Sequence, residues 1–558
     1  MAKSNKAKKG RAPFRKDEKD LDAKKRNPRN NREHNSRNKR SDSDGKEPII
    51  NDPGWWMNSG QLAIDACRIS TFNATGAPHV APLYTKSLYT PTGVLRLDYL
   101  PYFGTFNSAT HPINIAAKRA YDVINSKNSR NPSYDPSDLM IYFIAVGQAW
   151  SLYEFGKRIV GIYNTFSPVN RYWWRPFIKS MGIDDISVAN DIVSWRNAVN
   201  RLANKLNMLA VPKDIPYFDR AGFMNKGIYE DSPTAKASLF YFSPAAVMKY
   251  MPPTGEGTEM YEPSYLQNAI TPWFEEVTPV DAIAYENFCN SIVDPLFNDT
   301  DIASMGADII KAFGIENTYQ LPSVREEEQL FPAFSAEVNL QVHNARMAYT
   351  ANPLINTANP YKIKQDMVNN CLYADQTYLP QSNLPDRALV ATDLQGGKGI
   401  ALDFPIDNVN EVDVMEATRL TWAASRAANG AYISFIACTE ILVRDKCYYF
   451  SHTSGNWDLH SVQDSFVIGF DEGYTSAEFM SEVGPRLAVG SKIACGPTTY
   501  VVVGRASQSG NNDYGQPKYM DIVSDLTNYT TLDPQDLRNM HDAAHLSVFT
   551  PASLMKRM

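Results

Sequence analysis

The chain has 558 residues, 43% of them apolar and 21% charged, with 55 Lys and Arg against 61 Asp and Glu. Its charge is sharply divided. Residues 1–48 hold 17 basic and 8 acidic side chains, a net of +9, leaving 38 and 53, a net of −15, for the other 510. These figures speak against a secretory leader, since no apolar stretch follows the N-terminal charges, and the run Leu139–Val146 is far short of the ~20 residues of a membrane span. Six scattered cysteines without a CxxC pair make neither a disulfide framework nor a zinc site, which suits a reducing compartment.

The first 40 residues contain only seven apolar side chains. They cannot bury enough surface to offset roughly 1–2 kcal/mol of backbone entropy per residue, so residues 1–54 read as a disordered basic arm. Order is expected to begin near Pro53-Gly54-Trp55-Trp56. Alternation over Leu83–Gly104, with a turn at Thr90-Pro-Thr-Gly93, predicts two strands. Pro112 is placed to open a helix running to about Asn125. A buried helix follows over Asp138–Phe155, then an aromatic and basic stretch, Arg171-Tyr-Trp-Trp-Arg-Pro176.

The clearest helix spans about Ile186–Leu209. Ile192, Trp195, Val199, Leu202, Leu206 and Leu209 recur at steps of three and four, with Arg196, Arg201 and Lys205 off the stripe. It reads as a helix on a globular core rather than a coiled coil, and Val211-Pro212 ends it. The stretch 220–405 is rich in Pro, Tyr, Asn and loops, with shorter helices expected at 280–296 and 301–314. A helix at Asn410–Ala428 precedes a strand-rich texture at 431–450, 466–470, 500–503 and 518–523, in which 508–513 is a hairpin loop. A helix over Asp533–His545 closes the chain. The fold class is α+β, helix-rich, with a strand-rich late section.

A search for catalytic chemistry yields decoys. His541-Asp-Ala-Ala-His545 puts two imidazoles at i and i+4, but Asp542 stands where a zinc peptidase needs Glu, and no downstream third ligand is evident. The pair reads as two partly exposed helix histidines. Gln395-Gly-Gly-Lys-Gly399 lacks the Ser or Thr of a phosphate loop and reads as a turn. Cys447 and His452 are better explained by a strand cysteine than by a nucleophile pair. Ser323 with Glu326 fits a capping box, making Arg325-Glu-Glu-Glu328 a solvated helix start. No active site, cofactor or metal is expected.

The arm is the one chemical feature left. Lys6, Lys8, Lys9, Arg11, Arg15, Lys16, Lys24, Lys25, Arg26, Arg29, Arg32, Arg37, Lys39 and Arg40 are interleaved with asparagine. Long cations on such a backbone neutralise phosphates without reading bases, and Phe14 alone cannot support base stacking. The acidic remainder implies that nucleic acid meets only the arm.

Several segments together resemble the capsid proteins of picobirnaviruses. They are Tyr102-Phe-Gly-Thr-Phe-Asn-Ser108, Tyr121 through Asn128-Ser129, Tyr134-Asp-Pro-Ser-Asp-Leu-Met-Ile-Tyr142, Asn170-Arg-Tyr-Trp-Trp-Arg-Pro176, Trp195-Arg-Asn-Ala-Val-Asn200, Leu209-Ala-Val-Pro212 and Tyr229-Glu-Asp231. The resemblance is densest over 83–231 and weaker at Asn344-Ala-Arg346 and the closing helix. It implies a shell domain, assigned to 55–219 and 406–558, and a protruding domain at 220–405. It further implies dimers within an icosahedral shell, assembled in the host cytoplasm around double-stranded RNA, and N-terminal residues that can be removed during maturation. The alternatives are a partitivirus-type capsid, or a cytosolic metal-dependent hydrolase using His541 and His545 with an RNA-binding tail.

Overall fold

A computed structural model describes residues 94–128, 132–165, 174–233, 237–255, 261–271, 279–345, 360–374, 377–378, 400–426, 432–451, 456–463, 467–470, 499–506, 514–523 and 526–552. The predicted basic arm, Trp55-Trp56 and the turn at 90–93 lie outside these residues. Helix and strand are mixed, as the composition and periodicity predict.

The longest helix, Pro136–Asn164, forms the axis of the body. Pro136 needs no amide partner in the first turn, and the Asp138 carboxylate accepts from the Asp135 amide at 2.9 Å. The helix is buried on every side from Leu139 to Tyr153, which is why its sequence is continuously apolar rather than striped. Two glycines let its neighbours come close. A Cβ at Gly147 would stand 2.5 Å from the Tyr217 ring, and one at Gly156 would collide with the Tyr285 hydroxyl and Val199. Arg158 is buried too: it donates to Phe242 O at 2.9 Å and lies over the Phe155 and Tyr241 rings. Burial lowers its pKa to about 10.

Around this axis pack Pro112–Lys127, Ile192–Asn207, Pro216–Lys226, Ala282–Phe297 and the closing helix Pro534–Phe549. The striped helix is in fact two. Asp191 ends Asp185–Asn190 and caps Ile192–Asn207, its carboxylate accepting from the Ser194 amide at 3.0 Å. Trp195, Val199, Leu202 and Leu206 are buried as the stripe predicts.

The main sheet has six strands in the order 456–463, 440–451, 94–101, 239–244, 229–230, 333–334. Val94–Pro101 is central, antiparallel to Glu440–Ser451 and parallel to Leu239–Pro244. Early, middle and late parts of the chain thus share one sheet. The strand Leu239–Pro244 is wholly buried, although its surroundings read as loop; its apolar run Leu239-Phe-Tyr-Phe242 was the available signal. A second sheet of four antiparallel strands holds Ala246–Met251, Tyr265–Ile270, Lys362–Asp366 and Cys371–Ala374. Asn114 seats it on the first helix, exchanging two 2.8 Å bonds with the Leu372 backbone.

Two sequence expectations are corrected. The helix foreseen over Asn410–Ala428 stops at Ala417, and Ala423–Arg426 is a strand against Tyr432–Ile436. The Thr421 hydroxyl donates to Asn344 O at 2.7 Å, fixing the chain where it leaves the helix. Arg325–Glu328 starts no helix. Instead the chain makes a turn at 326–327, and side chains satisfy its backbone: Asn207 and Asn200 accept from the Leu321 and Val324 amides, and Asn164 donates to Glu326 O and Glu328 O. Glu328 meets Lys157 at 3.2 Å.

Candidate functional site

The fourteen cations assigned to phosphate binding, Lys6 through Arg40, lie outside the described residues, as do 395–399 and His452. Cys447 sits in the strand Glu440–Ser451 opposite Leu95.

The closing helix begins at Asp533, whose carboxylate accepts from the Gln535 amide at 2.7 Å. Leu537, His541, Ala544, His545 and Phe549 form its inner face. His541 and His545 are only 1% and 2% exposed, so the reading of them as partly exposed is corrected. The reason is that each ring finds a carbonyl under the helix. His541 Nε2 donates to Thr421 O at 3.0 Å, and His545 Nε2 to Cys438 O at 2.7 Å. A proton on Nε2 leaves the lone pair on Nδ1. Burial pushes His541 well below the usual imidazole range and His545 down to about 4, so both rings are neutral. Their Nε2 atoms serve different carbonyls, and the two do not act as a chelating pair.

A third histidine here was not visible from the sequence. His111, cap of the helix Pro112–Lys127, stacks on Phe106 at 4.4 Å, with its ring 5.5 Å from that of His545. Its Nε2 is 3.9 Å from Asp542 Oδ1. Burial lowers its pKa to about 3.

Two further polar clusters join distant segments. Arg220 donates to the Glu440 carboxylate at 2.9 Å and to Gln341 at 3.0 Å, and Gln341 reaches Glu416 at 2.6 Å. Burial would depress the Arg220 pKa, but the Glu440 charge outweighs it and the net shift is upward. Asp403 accepts from the Thr527 and Asn528 amides at 2.8 Å each and faces His343 Nε2 at 2.8 Å. Burial opposes its charge, yet these donors hold its pKa below the usual carboxylate value. Asn344 completes the knot, accepting from Asp403 N and donating to Asp403 O. None of these residues was singled out from the sequence, because their partners are 59–220 positions away. What the arrangement does is stitch helices and strands together.

Comparison with known proteins gives one consistent result. The model of a family described as "Picobirnavirus, Capsid protein" matches residues 69–464. A capsid protein precursor of Human picobirnavirus (strain Human/Thailand/Hy005102/-) is 25% identical over 312 residues, covering 54% of this chain and 55% of that protein. The match thus spans about half the length of this curated relative. The X-ray crystallographic structure of the picobirnavirus capsid is similar in fold, with a TM-score of 0.65 at 18% identity, covering 91% of this chain and 100% of that one.

Proposed function

The chain belongs to the picobirnavirus capsid protein family, and from that premise, which makes it a structural protein of the virion rather than an enzyme, we propose that it assembles through dimers into a closed icosahedral shell around double-stranded RNA in the host cytoplasm. The hydrolase and partitivirus readings fall with the same finding. The observation that carries the proposal is the charge division: +9 in residues 1–48 against −15 in the remainder. An acidic body repels RNA, whereas an arm of cations with few apolar residues neutralises phosphates and releases their counterions. In this reading Lys6, Lys8, Lys9, Arg11, Arg15, Lys16, Lys24, Lys25, Arg26, Arg29, Arg32, Arg37, Lys39 and Arg40 face the genome without base preference.

The test compares full-length protein with a chain lacking residues 1–48, imaged by negative stain and assayed for co-purified RNA at equal low salt. Closed particles are expected from the full chain, with RNA dropping sharply on truncation. If 6–10 cations contact phosphates, affinity should fall by about 10³–10⁵ between 50 and 200 mM salt. A stable monomer at high concentration would count against assembly, and equal RNA in both proteins would move binding to the body.

The division into a shell at 55–219 and 406–558 and a protrusion at 220–405 is proposed alongside. Side chains of 239–248, 280–309, 338–345 and 361–374 share one hydrophobic core with 95–229, which ties much of the described middle to the shell. Limited proteolysis of intact particles should cut exposed loops within 220–405 first. First cuts at 140–210 would overturn the assignment.

A further inference from the structure

The start of the helix Pro112–Lys127 and the closing helix meet at a small polar cluster that the proposed assembly does not use. His111 brings an imidazole nitrogen. Asp542 and His545, three apart on the closing helix, bring a carboxylate oxygen and a second nitrogen. The three ligand atoms all lie within 4.8 Å of one another. We propose that His111, Asp542 and His545 form a binding site for a divalent cation of the zinc type, which ties the closing helix to the beginning of the first one.

The donor set is the first argument. Two neutral imidazoles and one carboxylate are the ligands a borderline cation prefers over calcium or magnesium, which take oxygen alone. The second argument is the preparation of His545. Its Nε2–H is spent on Cys438 O at 2.7 Å, the arrangement by which a metal-binding imidazole is usually oriented from behind. Its Nδ1 lone pair is buried and has no hydrogen-bond partner among the described residues. A buried acceptor without a donor is uncommon, and a cation would satisfy it.

Access is the third argument. His545 forms a buried floor, whereas the side chains of His111 and Asp542 are 15% and 40% exposed and form the mouth. A cation can enter from solvent and keep water at a fourth position.

The costs are visible as well. Zinc bonds of about 2.0–2.1 Å hold tetrahedral ligand atoms about 3.3 Å apart, so the cluster must contract by roughly 1.5 Å at its widest. The exposed Asp542 side chain can make most of that move. His111 Nδ1 now accepts a 3.4 Å bond from the Ile113 amide. Binding at Nε2 transfers the ring proton to Nδ1 and gives up that bond. Arg538, which acts electrostatically on His111 and Asp542, and Arg419, which acts on His545, both oppose a second cation. Affinity in the micromolar range is therefore expected, weaker than in closed structural zinc sites.

The test uses full-length protein stripped with chelator, titrated with zinc chloride by calorimetry and assayed for retained metal after gel filtration. One zinc per chain is expected, and cobalt(II) should give the visible absorption of a low-coordinate site. At a hundredfold excess over the dissociation constant the melting temperature should rise by about 3 °C. Asp542→Asn and His111→Asn should each lower affinity at least tenfold and, at the same zinc concentration, cut the thermal shift by about half or more. Both leave the His545–Cys438 bond in place, and Asn can still cap a helix. Asp536→Asn, on the same helix, should bind like the parent. Folded protein that takes up no zinc would overturn the proposal. So would uptake that survives both variants, since the metal would then sit elsewhere.

Discussion

Two cores of this body are built on different principles. The large one, around Pro136–Asn164, is built mainly of apolar side chains such as Leu139, Phe143, Leu152, Trp195 and Ile292, with few buried polar groups such as Gln148 and Arg158. The small one joins Leu340, Ile400, Leu402, Phe404, Ala417, Ala423, Ile436 and Leu537. Around it the chain relies on Asp403, His343, Asn344, Arg220 and Glu440. Few apolar side chains cannot define a unique packing, so directional bonds take over that task. Burial by area tolerates changes of shape, whereas burial by paired polar groups does not tolerate loss of a partner.

This contrast can be broken most directly at Asp403. Asp403→Ala removes the side-chain acceptor for two amides and its contact with His343 Nε2, while the bonds of Asn344 to the Asp403 backbone stay in place. A loss of about 3–5 kcal/mol is expected in denaturant unfolding. A cost below ~1 kcal/mol would show that the small core is held by its apolar residues after all.

Acid should act next, and in separate windows. His545 has a folded pKa of about 4 against 6.5 for the free group, so the unfolded chain binds the extra proton. Stability is then complete above pH 6.5 and declines as pH falls toward 4, by on the order of 3 kcal/mol. His111, with a folded value of about 3, extends that decline lower. Asp403 behaves oppositely in origin: its depressed carboxylate pKa gives stability that is lost only once pH drops below the usual carboxylate range. Unfolding midpoints between pH 7.5 and 4.5 should therefore follow the histidines. His545→Gln should flatten that slope, and an unchanged slope would remove His545 from the account.

A smaller effect is expected in the large core. Leu152→Met conserves volume and should cost less than about 1.5 kcal/mol, although Leu152 is fully buried. A larger loss would mean that the apolar core is as exacting as the polar one. The smallest change should come from Arg201→Ala. It removes a bidentate pair with Glu286 on the surface, where double-mutant cycles with Glu286→Ala should report about 0.2–1 kcal/mol.

Helices with their own punctuation were legible in the residues. Pro112 and Asp533 mark starts that the structure places at or within one residue of those positions, and the helix expected from Asp138 starts two residues earlier, at Pro136. The stripe from Ile192 to Leu206 showed its buried face because period and burial coincide in a half-exposed helix. The segment at 321–330 was misread for the opposite reason. Its capping pattern was local, but the asparagines that satisfy its backbone come from Ile192–Asn207 and Pro136–Asn164.

By itself, then, the sequence determined the helix-rich α+β class, the charge division and the family resemblance, since composition, periodicity and local motifs are properties of neighbouring residues. Only the tertiary structure decided which strands share a sheet, why Asp403 is buried and Arg220 half-buried, and that His111 faces Asp542 and His545. Val94–Pro101 pairs with Glu440–Ser451 across most of the chain, and such pairings depend on shape and on the satisfaction of buried polar groups. No local window of residues carries that information.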